Sequence, residues 1–175
     1  SKLTQRTVNG GIRFYDFQCS AQKSVSVMSL FDSRLIEAHK QAVAFAMNEL
    51  EQFAAVRIRY GENVNTQNYE LTGKMIYSSF HHDCSRTLDP QLHTHNVVCN
   101  VTGDSEGNFK ALENAAMCKA IQYCGRVYQN SLAMACRNLG YEIRETLDFR
   151  GNVKGFEIEN VPEEILDRFS KRTND

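Results

Sequence analysis

The stretch FHHDCSRTLDPQLHTHNVVCNVT, from Phe80 to Thr102, constrains the fold more than any other part of the chain. Val97, Val98, Cys99 and Val101 form a mostly β-branched run that reads as a buried strand, and His93 and His95 lead into it. Side chains two apart on a strand face the same way, so both imidazoles project together. Four of the five histidines (His81, His82, His93, His95) fall in this one segment. A turn through Asp89-Pro90 that folds the apolar run Met75 to Phe80 back antiparallel brings a third imidazole beside the pair. Adjacent strand residues face opposite ways, so only one of His81 and His82 can join, and the spacing leaves both open. Three neutral imidazoles around one point suit a divalent transition metal with positions left for water or substrate. That is a catalytic arrangement rather than a structural one.

With 175 residues and 42% hydrophobic content, the chain has enough length for one domain with a full core. A net charge of −1 gives no whole-chain signature of nucleic-acid binding, though Arg and Lys are scattered widely enough to line a local basic groove. No apolar run is long enough to span a membrane, and the start carries no signal-peptide pattern. The six cysteines make no CxxC pair and sit mostly in apolar patterns. They read as reduced, buried thiols of a cytoplasmic protein. Cys84 lies beside the histidines, but no nearby group would clearly lower its pKa, and it reads as structural.

Taken in order, residues 1–12 are a loose lead-in, and Arg13 to Cys19 is a strand with Phe14, Asp16 and Gln18 on one face. VSVMSLF is a brief helix. Asp32 or Ser33 caps a long helix to about Phe53, with His39 on its apolar stripe as a partly buried structural histidine. Val56 to Tyr60 is a strand, Gly61 to Asn68 a polar loop, and Tyr69 to Phe80 one strand or two, with Gly73 as the break. After the histidine strand, Asp104 to Asn108 turns a hairpin. Asn114 caps a second long helix to Leu139, with Met117, Ile121, Cys124, Tyr128, Leu132, Ala135 and Leu139 as its stripe and Gly140 closing it. A hairpin through Asp148 to Asn152 and a short helix after Pro162 complete the chain. The expected fold is α+β: a mainly antiparallel sheet, two long helices on one face, and the other face an open palm.

The segment FHHDCSRTLDPQLHTHNVVCNVT resembles the metal motif of the conjugative relaxases of the TrwC/TraI (MobF) type, members of the HUH endonuclease superfamily. RFYDFQCSAQKSVSVM is similar to the same family's upstream signature, and VPEEILDRFSKR to the end of that domain, so the resemblance spans essentially the whole chain. The middle residue of the His-x-His is Thr94 rather than a bulky hydrophobe, which this branch of the family tolerates. The resemblance implies His82, His93 and His95 as ligands of one divalent metal ion (Mg, Mn, Zn or similar). It implies Asp16 as the carboxylate that orients a ligand histidine or assists the nucleophile. Lys23, Ser24 and Arg86 fall in the motifs and are expected to contact DNA phosphates or support the site. The expected partners are single-stranded DNA at an origin of transfer and, in the full-length context, other conjugation proteins.

The implied reaction is site- and strand-specific nicking and rejoining of DNA, in which a tyrosine attacks the scissile phosphorus to form a 5′-phosphotyrosyl link. In the family that tyrosine sits near the N-terminus, well before the Asp-bearing strand, and none of this chain's tyrosines matches its place. One relaxase-like domain over residues 1–175, lacking the nucleophile's strand, is therefore expected. Two other readings compete with it: a water-using metal-dependent nuclease or phosphodiesterase, and a non-catalytic single-stranded DNA-binding module.

Overall fold

Alternation along the strands and a three-to-four-residue apolar period along the helices build two layers. The computed structural model describes residues 11–58 and 69–169. The lead-in over residues 1–10, the loop 61–68 and the end of the expected Val56–Tyr60 strand lie outside them. The elements run β1 (Phe14–Ser20), α1 (Lys23–Met28), α2 (Arg34–Glu51), β2 (Ala55–Arg57), β3 (Tyr69–Leu71), β4 (Tyr77–Cys84), β5 (Pro90–Cys99), β6 (Thr102–Gly103), β7 (Phe109–Lys110), α3 (Ala115–Asn138), β8 (Ile143–Leu147), β9 (Val153–Ile158) and α4 (Glu163–Arg168).

Among the described residues every strand pairing is antiparallel, as expected, and the strands divide into a three-stranded sheet of order β1-β5-β4 and three two-stranded ribbons. Strand β5 is central because its residues alternate between buried and half-buried along its whole length. Leu92, Thr94, Asn96 and Val98 turn inward, and His93, His95 and Val97 turn outward. Beneath it, α2 packs on α3 through Leu35, Ala42, Val43, Met47 and Leu50 from one helix and Met117, Cys124, Tyr128 and Leu132 from the other. Burying each large apolar side chain contributes about 1.5–3 kcal/mol, so this layer carries much of the stability.

Both long helices start where the sequence indicates, with different chemistry. Asp32 accepts the Arg34 N–H at 3.0 Å and so serves α2. Asn114 holds the N-cap position of α3 without a side-chain cap, and Glu113 Oε1 accepts the Ala115 N–H at 3.3 Å instead. Gly140 closes α3 at φ 94°, and Gly73 separates β3 from β4 at φ 57°. Two readings of the stripes need correcting. Ile121 is 46% exposed and belongs to the outer face of α3, while Ala116, Ala120 and Cys136 join the core. His39 is fully buried, because Tyr128 and Thr94 satisfy both of its ring nitrogens.

Candidate metal centre

The pleat of β5 and the register of its two neighbours bring the expected residues to the outward face. His82 lies directly across from His93 in the β4–β5 pair, and Gln18 across from His95 in the β1–β5 pair. Opposed residues in a sheet share a face, so His82, His93 and His95 stand together on the side away from the helices. Their ring centroids are 5.1 Å (His82–His93), 5.3 Å (His93–His95) and 5.8 Å (His82–His95) apart.

Two of the rings are held from behind. His95 donates its Nδ1–H to Asp16 Oδ2 at 2.7 Å, and His93 donates its Nδ1–H to the Gln91 carbonyl at 2.8 Å. A carboxylate and a carbonyl can only accept, so both rings carry their proton on Nδ1 and keep the Nε2 lone pair for a ligand. The separations match those of imidazoles around one ion, about 5 Å when metal–nitrogen bonds of about 2 Å are arranged tetrahedrally. Among the described residues, however, no group of three or more His, Cys, Asp or Glu side chains stands ready-made around a metal. The exposed His82 ring instead lies stacked on His93 at 23°. The donor set fits a cation in its chemistry and spacing.

The remaining site residues divide. Arg86 is exposed in the turn between β4 and β5. Ser24 cannot contact DNA, because it is fully buried. Its hydroxyl donates to Glu157 on β9 and accepts the Ile158 N–H at 2.8 Å, which ties α1 to that ribbon. Lys23 is likewise part of the scaffold, its ammonium donating to the carbonyls of Pro90 and Phe169, and burial lowers its pKa. Cys84 is exposed, and a hydrogen bond with Asp83 raises its thiol pKa above the usual range. No described tyrosine stands on the open face. Tyr15, Tyr77 and Tyr141 pack against the core, Tyr128 lies within it, Tyr123 donates to Glu49, and Tyr69 belongs to β3.

The sequence reading missed the inward half of the same strand. Thr94 Oγ1 lies 2.7 Å from His39 Nε2 and 2.8 Å from His81 Nδ1, and Asn96 donates to the Phe17 carbonyl at 2.8 Å while accepting from Ser79 Oγ at 2.6 Å. Polar residues alternating with the histidines in HTHN were the available signal, since buried polar groups need partners.

An antiparallel palm packed on two helices, displaying a histidine cluster backed by a carboxylate, has the architecture expected of a relaxase domain. The chain belongs to the TrwC relaxase family, whose model matches residues 1–175. It is 38% identical over 171 residues to the multifunctional conjugation protein TraI of Escherichia coli, an alignment covering 91% of this chain and 9% of that protein. Among solved structures it is similar to the conjugative relaxase TrwC in complex with oriT DNA in a metal-bound form (TM-score 0.80, 36% identity, 90% of this chain and 53% of that one). It is equally similar to TrwC complexed with a 27-mer DNA comprising the recognition hairpin and the cleavage site (TM-score 0.80, 38% identity, 90% and 54%). The chain thus spans about half the length of those structures and about a tenth of TraI.

Proposed function

We propose that this chain is the metal- and DNA-binding palm of a conjugative relaxase, which nicks and rejoins one DNA strand at an origin of transfer. The observation that carries the reading is the outward group of His82, His93 and His95 with Asp16 behind His95. His82, His93 and His95 would hold the ion. When bound, a divalent cation supplies Lewis acidity toward the scissile phosphate and offsets the charge that develops there. Three imidazoles favour Zn, Mn, Co or Ni over Mg, which prefers oxygen ligands. Asp16 keeps His95 in one tautomer and raises its basicity.

The DNA side of the reading rests on the same face. Phe80 lies across from His95 and is 53% exposed, and Phe14, 58% exposed, stands on the outward face of β1. Such rings are platforms for unpaired bases, each stacked base contributing about 1–3 kcal/mol. Arg86, exposed in the turn between β4 and β5, would meet a phosphate. No described tyrosine stands on the open face, so this reading places the attacking tyrosine outside the described residues. Among the described residues no helix is long and apolar enough to cross a membrane, and all six cysteines are free.

A single-stranded oligonucleotide carrying the cognate origin, incubated with the protein and Mn²⁺ or with a chelator, tests the reading. Metal-dependent protein-linked DNA supports it. Free 5′-phosphate ends would point to a water-using nuclease. Binding that never leads to cleavage would leave a DNA-binding module.

A further inference from the structure

Strand β4 has an unusual problem for a strand that must deliver one particular side chain. Among the described residues it is an edge strand of the three-stranded sheet, and every residue from Ser78 to Cys84 is exposed. Register is normally set by an apolar face that must be buried. Ser78-Ser79-Phe80-His81-His82 offers no such face. The pairing also becomes irregular between His82 and Cys84, immediately beyond the His82–His93 pair. A slip of one residue would place His81 opposite His93 and turn His82 to the other side.

Tyr77, packed against the core across from Val98, anchors the start of the strand. From Ser79 onward, what holds the register is polar and lies underneath. His81 is paired with Thr94, and the Thr94 hydroxyl sits between His81 Nδ1 at 2.8 Å and His39 Nε2 at 2.7 Å. His39 Nδ1 in turn lies 2.7 Å from the Tyr128 hydroxyl on α3. One direction leaves no buried proton without an acceptor. Tyr128 donates to His39 Nδ1, His39 donates through Nε2–H to Thr94, and Thr94 donates to His81. Two pairs further along, Ser79 donates to Asn96 in the same way. The edge strand is therefore referenced, through Thr94, to both long helices.

We propose that Thr94 is a positioning residue, the register lock that selects His82 rather than His81 for the outward face shared with His93 and His95. The assignment rests on those three histidines holding a metal, as proposed above. Thr94 touches neither metal nor DNA. It acts by presenting a hydroxyl that only the correct register of β4 can use, and His39 and Tyr128 hold that hydroxyl at a fixed height.

Calorimetric titration of the chain with Mn²⁺ tests this, with melting temperatures recorded alongside. Thr94→Val is expected to weaken Mn²⁺ binding at least tenfold in protein that remains folded, and Thr94→Ser to restore it to within about threefold. A Thr94→Val protein with a lowered melting temperature but an unchanged Mn²⁺ affinity would overturn the lock, leaving only a stabilising hydrogen bond. Should Thr94→Val fail to fold, the exposed His81 gives a second route. His81→Ala is expected to weaken binding about fivefold and His81→Asn, which can still accept from Thr94, to recover it. An unchanged affinity in His81→Ala overturns the proposal. So does abolition of binding that His81→Asn does not recover, since His81 would then be a ligand itself. If the unaltered chain binds no Mn²⁺, the metal-site reading falls first and this inference with it.

Discussion

Asp16 and His95 stand diagonally across the β1–β5 pair, and the carboxylate accepts the imidazole Nδ1–H at 2.7 Å. The contact joins two motifs whose bonded residues lie 79 positions apart in the sequence. Asp16→Asn keeps the shape but can no longer enforce the tautomer that leaves Nε2 free. A loss of about 10–100-fold in Mn²⁺ affinity is expected, as for other carboxylates behind a ligand histidine. Calorimetry reads it directly, and an affinity within twofold of the parent would remove Asp16 from the site.

His39 should make the fold acid-sensitive above the range where carboxylates titrate. Burial, reinforced by His81, His93 and Lys40, lowers its pKa from 6.5 to about 4. An unfolded chain takes up the proton near 6.5, while the folded chain resists until about 4. Stability is therefore complete above 6.5 and declines as pH falls through that window, by about 3 kcal/mol in all. Asp104, held down to about 2 chiefly by its hydrogen bond with Lys110, loses its contribution only below its ordinary 3.8. Urea unfolding at pH 7 and pH 4.5 should show the decline in the parent and a flatter response in His39→Gln. Equal slopes in the two proteins would refute the assignment.

The two exposed groups assigned to DNA should separate by their salt dependence. Phe80→Ala removes a stacking platform, so single-stranded DNA affinity should fall by about 1–3 kcal/mol with the salt slope unchanged. Arg86→Ala should weaken all sequences alike and reduce the slope of log K against log salt by about 0.7. Fluorescence anisotropy at several salt concentrations distinguishes the two patterns.

Gly140 offers a test of the scaffold alone. At φ 94° it occupies backbone space that a side chain rarely tolerates, though a Cβ would meet no neighbouring atom. Gly140→Ala should therefore cost about 1 kcal/mol through backbone strain and leave metal and DNA binding unaltered. Chemical denaturation supplies the first number and the binding assays the second.

Much of this architecture could be read from the chain before any coordinates. The alternation of HTHNVVC placed His93 and His95 on one face, and the turn at Asp89-Pro90 returned the preceding strand beside them. Choosing between His81 and His82 could not be done from residue spacing, because an edge strand exposed on both faces carries no hydrophobic signal. Ser24 misled for a related reason. A serine in a polar motif reads as surface, and only Glu157 and Ile158, more than 130 positions away, make it an interior residue. Ile121 fitted the period of its helix but fell on a face that no other described element covers.

The strict in-and-out assignment along Pro90–Cys99 also limits how this segment can evolve. Substitutions there can be absorbed one at a time, since each residue answers to a single layer. A one-codon insertion or deletion would exchange the duties of both layers together, driving imidazoles into the interior and the hydroxyl of Thr94 into solvent. Relatives that retain the metal centre should therefore vary here in composition while keeping the same spacing, and length changes should collect in the turns on either side.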